Sequence, residues 1–143
     1  MLSQKCKYAL RCVLYLSLES SENKKIGSAE IAEHLKIPAA FTSKILQQLV
    51  SNSIVSSTKG PNGGFYLSKE NKKKKLIDIV ECIDGLDFFH QCGLGLDKCS
   101  DKKPCPLHED FVKIRKIFHH SISTTNIDHL SKKILEDNLS LIR

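Results

Sequence analysis

The stretch from Ile54 to Leu67 constrains the fold of this chain more than any other. Ile54-Val55-Ser56-Ser57-Thr58 has the composition of a strand and Phe65-Tyr66-Leu67 that of a second. Between them, Gly60-Pro61-Asn62-Gly63-Gly64 is a dense turn signal. Two short helices precede this hairpin. Ser28 offers an N-cap ahead of Ala29–Lys36, where Ile31, Ala32 and Leu35 form an apolar stripe. Pro38 disfavours helical backbone at Ile37 and suits the first turn of a new helix. That helix runs from about Ala39 to Asn52, with Phe41, Ile45, Leu46 and Leu49 as its inward side. Two short helices, a tight connection and a following hairpin read as a helix-turn-helix with a wing. A plain helical pair followed by an ordinary surface hairpin shares the pattern.

The flanking segments are helical. From Ser3 to about Glu19, Cys6, Ala9, Leu10, Val13 and Ser17 share one face, widened by Leu14 and Leu16. Asn71-Lys72-Lys73-Lys74-Lys75 reads as a basic linker. Leu76–Asp84 reads as a helix with Ile79, Val80 and Ile83 inward, stopped by Gly85. Phe88 to Pro106 has no sustained period, and a loop of that length inside a compact unit is uncommon unless it has a function. From Leu107 to about Ser121, Leu107, Phe111, Ile114 and Phe118 recur at helical spacing, with Val112 and Ile117 broadening the stripe. A helix this apolar is expected to pack against a second copy of the chain. Ile127, Leu130, Ile134 and Leu139 place a short helix or two in the remainder. The expected fold is mainly α with a small β-hairpin: a winged helix-turn-helix over 1–75, a helix and cysteine-rich loop over 76–106, and a dimerisation helix with a C-terminal segment over 107–143.

Charge divides the chain in the same place. Residues 1–75 hold 13 Lys and Arg against 5 Asp and Glu, and residues 76–143 hold 9 against 11. A basic front half points to a polyanionic partner, although a solvated surface has the same composition. The chain has no apolar run long enough to span a membrane, and the segment Met1 to Lys7 lacks the features of a signal peptide, so the expected compartment is the cytoplasm. No acid–base pair stands in a recognisable catalytic motif. Gly60–Gly64 lacks the following helix that a phosphate-binding loop requires, and an enzyme is not expected.

Six cysteines in such a chain are not a disulfide framework. Cys6, Cys12 and Cys82 fall in helical apolar patterns and read as small hydrophobic side chains. Cys92, Cys99 and Cys105 fall in the polar loop, with His108 just after it. Three thiols and an imidazole suit zinc, Cu(I) or an iron–sulfur cluster. Gly93 and Gly95 let the chain fold around such a centre, and Lys98, Lys102 and Lys103 offset thiolate charge. The gaps of six and five residues between the cysteines are looser than those of a zinc knuckle. Spacing alone leaves a cluster, zinc and a reactive thiol switch open.

Lys7-Tyr8-Ala9-Leu10-Arg11, the wing from Val55 to Leu67 and the three-cysteine loop together resemble the winged-helix regulators typified by IscR and NsrR, over nearly the whole chain. The resemblance implies a cytoplasmic, homodimeric transcription regulator, a repressor or dual regulator, that binds double-stranded DNA at a palindromic operator. It further implies an iron–sulfur cluster on Cys92, Cys99 and Cys105, sensing cluster status, redox state or nitric oxide. In the IscR type, a histidine three residues after the last cysteine completes a [2Fe–2S] cluster, and His108 stands there. The NsrR type holds a [4Fe–4S] cluster and takes a carboxylate from the first helix. Lys5, Cys6 and Lys7 supply none here, which favours His108. His90 is the competing ligand, and a simple place in the first helical turn is the other reading of His108. A cluster-free thiol-redox or zinc-stabilised regulator is the alternative. For DNA, the resemblance puts Ala40, Thr42, Ser43, Lys44 and Gln47 in the major groove, and Lys59, Gly60, Asn62 and Gly63 of the wing over the minor groove or its phosphates. It makes Lys5, Lys7 and Tyr8 phosphate contacts.

Overall fold

A computed structural model describes residues 1–143. Helix α1 (Gln4–Glu19) is the axis of the fold. Ser3 caps it by accepting from the Cys6 backbone at 3.0 Å, and Cys6, Ala9, Cys12, Val13 and Leu16 are fully buried along it. Helices α2 (Ser28–Leu35) and α3 (Ala39–Ser51) pack across α1 and against each other. Gly27, not Ser28, occupies the cap position of α2, with no side-chain cap bond. The preceding Ile26 is tied into the hairpin by its pair of backbone bonds with Phe65, which sets where α2 starts.

Strands β1 (Ser56–Thr58) and β2 (Gly64–Tyr66) form the antiparallel wing, in register Ser56–Tyr66 and Thr58–Gly64. Gly64 sits at φ +147 against the Ile26 backbone, an approach only glycine permits. The residues expected as a basic linker begin instead inside α4 (Lys69–Lys72). Asn71 is buried there. It accepts from Ser56 and Ser68 and donates to the Ser53 carbonyl, so it fastens the wing rather than contacting solvent.

Helix α5 (Leu76–Asp84) ends at Gly85, and a short 3₁₀ turn (Asp87–Phe89) leads into the cysteine loop. The chain returns through α6 (His108–Thr124) and α7 (Ile127–Glu136). Ile79 of α5 and Ile127 of α7 lie in the same apolar cluster as the inner faces of α1, α2 and α3. A smaller cluster of Cys6, Val80, Phe89 and Ile122 joins α1, α5 and α6 beneath the loop. No helix is long and apolar enough to cross a membrane.

Candidate functional site

The face formed by α3 and the wing carries Ala40, Lys44, Gln47, Lys59, Gly60 and Asn62 exposed, with Ser43 and Gly63 half-buried. Gln47 and Lys59 line one groove between helix and hairpin. The wing tip keeps its shape because the Gly63 amide donates to the Gly60 carbonyl at 2.9 Å, and a Cβ on Gly63 would collide with the Thr58 carbonyl. Lys7 is exposed and Tyr8 half-buried at the start of α1.

Two expectations on this face need correction, those for Thr42 and Phe41. Thr42 is fully buried, and its hydroxyl donates to the Pro38 carbonyl at 3.1 Å, so it does not face outward. Phe41 is not inward but 53% exposed, held edge-on by the Tyr8 ring. Helical periodicity explains the exchange: position 42 lies three, four and seven residues before Ile45, Leu46 and Leu49, whereas position 41 falls off that stripe. Lys5 is half-buried and already engaged, donating to Gln48 Oε1 at 2.7 Å. Gln48 in turn donates to the Cys82 carbonyl at 2.7 Å, so this contact joins α1, α3 and α5.

The cysteine centre lies between the end of α5 and the start of α6. Cys92 is 8% exposed, and Cys99, Cys105 and His108 are half-buried. The donors stand in two pairs. Cys105 stands beside Cys92 and helps to lower its thiol. Cys99 Sγ lies 3.3 Å from His108 Nδ1. His108 Nε2 is 2.8 Å from Asp101 Oδ1, and its backbone amide donates to the Cys105 carbonyl at 3.0 Å. The pairs do not converge: nowhere do three His, Cys, Asp or Glu gather closely enough for a single metal ion.

Local backbone lowers the Cys92 thiol. The backbone amides of Leu94 and Leu96 hold its thiol below the ordinary range, outweighing burial, with smaller help from Cys105 and Arg115. Gly93 is required here because a Cβ would strike the Phe111 ring. His90 is exposed on the cavity that Cys99 and His108 also line.

Sequence reasoning missed Arg115, Asp101 and Gln91. Arg115 reaches across from α6, donating to Cys99 Sγ at 3.3 Å and to the Gln91 carbonyl. Its signal was its spacing, seven residues after His108 and seven before Ile122 on the inner face of α6. The apolar stripe read along that helix divides: Phe111, Val112 and Phe118 are half-buried, whereas Leu107, Ile114 and Ile117 are 42%, 48% and 72% exposed in the single chain.

Residues 2–133 match the Rrf2 family, described as an iron-dependent transcriptional regulator. An HTH-type transcriptional regulator of Aquifex aeolicus is 33% identical over 130 residues, covering 90% of this chain and 89% of its own length. The IscR regulator of Xenorhabdus nematophila is 26% identical over 131 residues, covering 92% and 79%. Among solved structures, the global cysteine regulator CymR of B. subtilis superposes with a TM-score of 0.74 at 17% identity, covering 93% of this chain and 97% of that one. The IscR of T. potens gives 0.70 at 16% identity, covering 98% and 92%. At these identities the structures speak to the fold, a mainly helical winged helix with one hairpin.

Proposed function

The chain belongs to the Rrf2 family of transcription regulators, and from that premise we propose that it is a homodimeric DNA-binding regulator controlled by a [2Fe–2S] cluster on Cys92, Cys99, Cys105 and His108. The observation that carries this reading is the arrangement of donors in two pairs, Cys92 with Cys105 and Cys99 with His108. A tetrahedral zinc site wants four donors around one point, whereas a two-iron cluster takes two protein ligands at each iron. Bound there, the cluster supplies a centre whose loss, oxidation or nitrosylation carries the signal.

The chain's own residues supply the rest. Ala40, Ser43, Lys44 and Gln47 present hydrogen-bonding and methyl groups to base edges. Lys7 and Lys59 meet phosphates. The exposed side of α6, with Leu107, Ile114 and Ile117, packs on the same side of a second copy, which spaces two recognition helices for a palindromic operator. Order in the loop reaches α3 through α5: Asp84 accepts from the Ser3 backbone at 2.8 Å, and the Cys82 carbonyl holds Gln48 of α3. A change in the loop thereby biases the spacing of the recognition helices.

Anaerobic reconstitution with ferrous iron and sulfide is the test. The expected product has two irons and two sulfides per chain and the visible absorption of a [2Fe–2S] centre, and His108→Ala alters that spectrum. A colourless protein with stoichiometric zinc would overturn the reading. The closeness of Cys92 and Cys105 also favours a cluster-free thiol switch. That alternative predicts a mass loss of two hydrogens on mild oxidation, together with no iron uptake.

A further inference from the structure

Arg115 is the one formally charged side chain buried in this protein, 9% exposed on the inner face of α6. Removing a guanidinium from water is costly unless an anion or a full set of acceptors compensates for it. None of the chain's ion pairs includes it. The one carboxylate on its cavity, Asp101, has a side chain 96% exposed and is bonded to His108. Arg115 turns instead to the Gln91 carbonyl and to Cys99 Sγ, the latter at 3.3 Å. It also borders the second cavity, formed with Cys92 and Gly93. A thiol is only a weak acceptor, so this buried cation ties the loop to α6 through the Gln91 carbonyl and the sulfur, with positive charge left over beside Cys99.

We infer that Arg115 is a positioning residue of the cysteine centre: its guanidinium ties residues 91–99 to α6 before any metal is held, and it keeps a cation beside Cys99. In the loaded protein the same cation lies beside an anionic centre and makes that centre easier to reduce. This second consequence rests on the cluster reading of the preceding section, and the first does not.

The loop carries its own reporter, because Lys98 and Lys102 are exposed sites for trypsin. In metal-free, reduced protein, Arg115→Gln is expected to speed cleavage after these lysines about tenfold. Arg115→Lys, which keeps the charge but not the fork, is expected to fall between Gln and wild type. Cleavage of both variants at the wild-type rate would overturn the inference. So would equal acceleration by Lys and Gln, since packing rather than charge would then hold the loop. Should Arg115→Gln not fold, Cys99→Ala decides: accelerated loop cleavage supports the contact between Arg115 and the sulfur, and a wild-type rate removes it. In reconstituted protein, the reduction potential of Arg115→Gln is expected below that of wild type, and an unchanged potential would overturn the countercharge role in the loaded state. A wild-type chain that takes up no cluster would sink the cluster reading while leaving the proteolysis comparison decisive for Arg115.

Discussion

The three cysteines of the helices and Cys92 of the loop are in opposite chemical states. Cys6 and Cys12 are fully buried in helix α1, and burial pushes both thiols up to about 12; burial raises Cys82 as well. Cys92 is almost as inaccessible, at 8% exposure, yet its thiol is held below the ordinary range. The difference lies in what surrounds each sulfur. In a helix the amides are committed to the preceding turn and leave none for the side chain. In the loop the amides of Leu94 and Leu96 are free to point at Cys92, and Arg115 adds a cation nearby. Burial therefore does not decide reactivity here. Irregular backbone does, by supplying donors that a regular helix has already used.

The largest expected effect breaks this comparison directly. With metal removed, iodoacetamide at neutral pH should label Cys92 at least about a thousandfold faster than Cys6 or Cys12, read by mass spectrometry of peptides. That factor follows from a thiol near 12 set against one below 9, through the thiolate fraction alone. Comparable labelling of Cys12 would mean that α1 opens readily and that the helical thiols are not core groups.

Exchanging the roles gives the next effect. Cys105→Ser should lower bound iron after reconstitution by more than about tenfold while leaving unfolding of the core nearly unchanged. Cys12→Ala should leave iron uptake intact and lower unfolding free energy by about 1 kcal/mol, the cost of a small void. Iron and sulfide assays with urea unfolding of both variants separate the two outcomes.

A pH dependence sharpens the same contrast. The Cys12 thiol keeps its proton to about pH 12 when folded, whereas the unfolded chain loses it near 9. Its contribution to stability is complete below about pH 9 and declines as pH rises, at up to about 1.4 kcal/mol per pH unit. Urea unfolding at pH 8 and pH 10 should show a smaller decline for Cys12→Ala than for wild type. Equal declines would mean that the thiol is not desolvated in the fold.

What could be read from sequence was what depends on neighbours along the chain. The helical span of α1, the stop of α5 at Gly85 and the turn at Gly60–Gly64 all follow from local pattern, and each is present. The loop was legible as a place where regular structure fails and thiols gather. The arrangement within it was not, because spacing of six and five residues does not say that Cys92 meets Cys105 while Cys99 meets His108. Arg115 was hidden by its chemistry: a charged residue among Phe111, Ile114 and Phe118 looks like the solvated side of α6 until its sulfur partner is seen. Phe41 and Thr42 were exchanged because residue type was weighed above period, and the period was right.

The smallest expected effect concerns two lysines that sequence reasoning treated alike. Lys59 stands exposed at the base of the wing tip, and its ammonium has no partner within the chain, so it is free to displace counterions from a phosphate. Lys5 already donates to Gln48 at 2.7 Å inside the junction of α1, α3 and α5. Lys59→Ala should therefore weaken binding to duplex DNA of any sequence and reduce the slope of log affinity against log salt by about 1. Lys5→Ala should leave that slope unchanged and act instead on Gln48, whose carbonyl loses its donor. Fluorescence anisotropy on one fixed duplex across a salt series distinguishes them. A slope lowered equally by both substitutions would place Lys5 on the DNA after all, and its bond to Gln48 would then be one that DNA binding breaks.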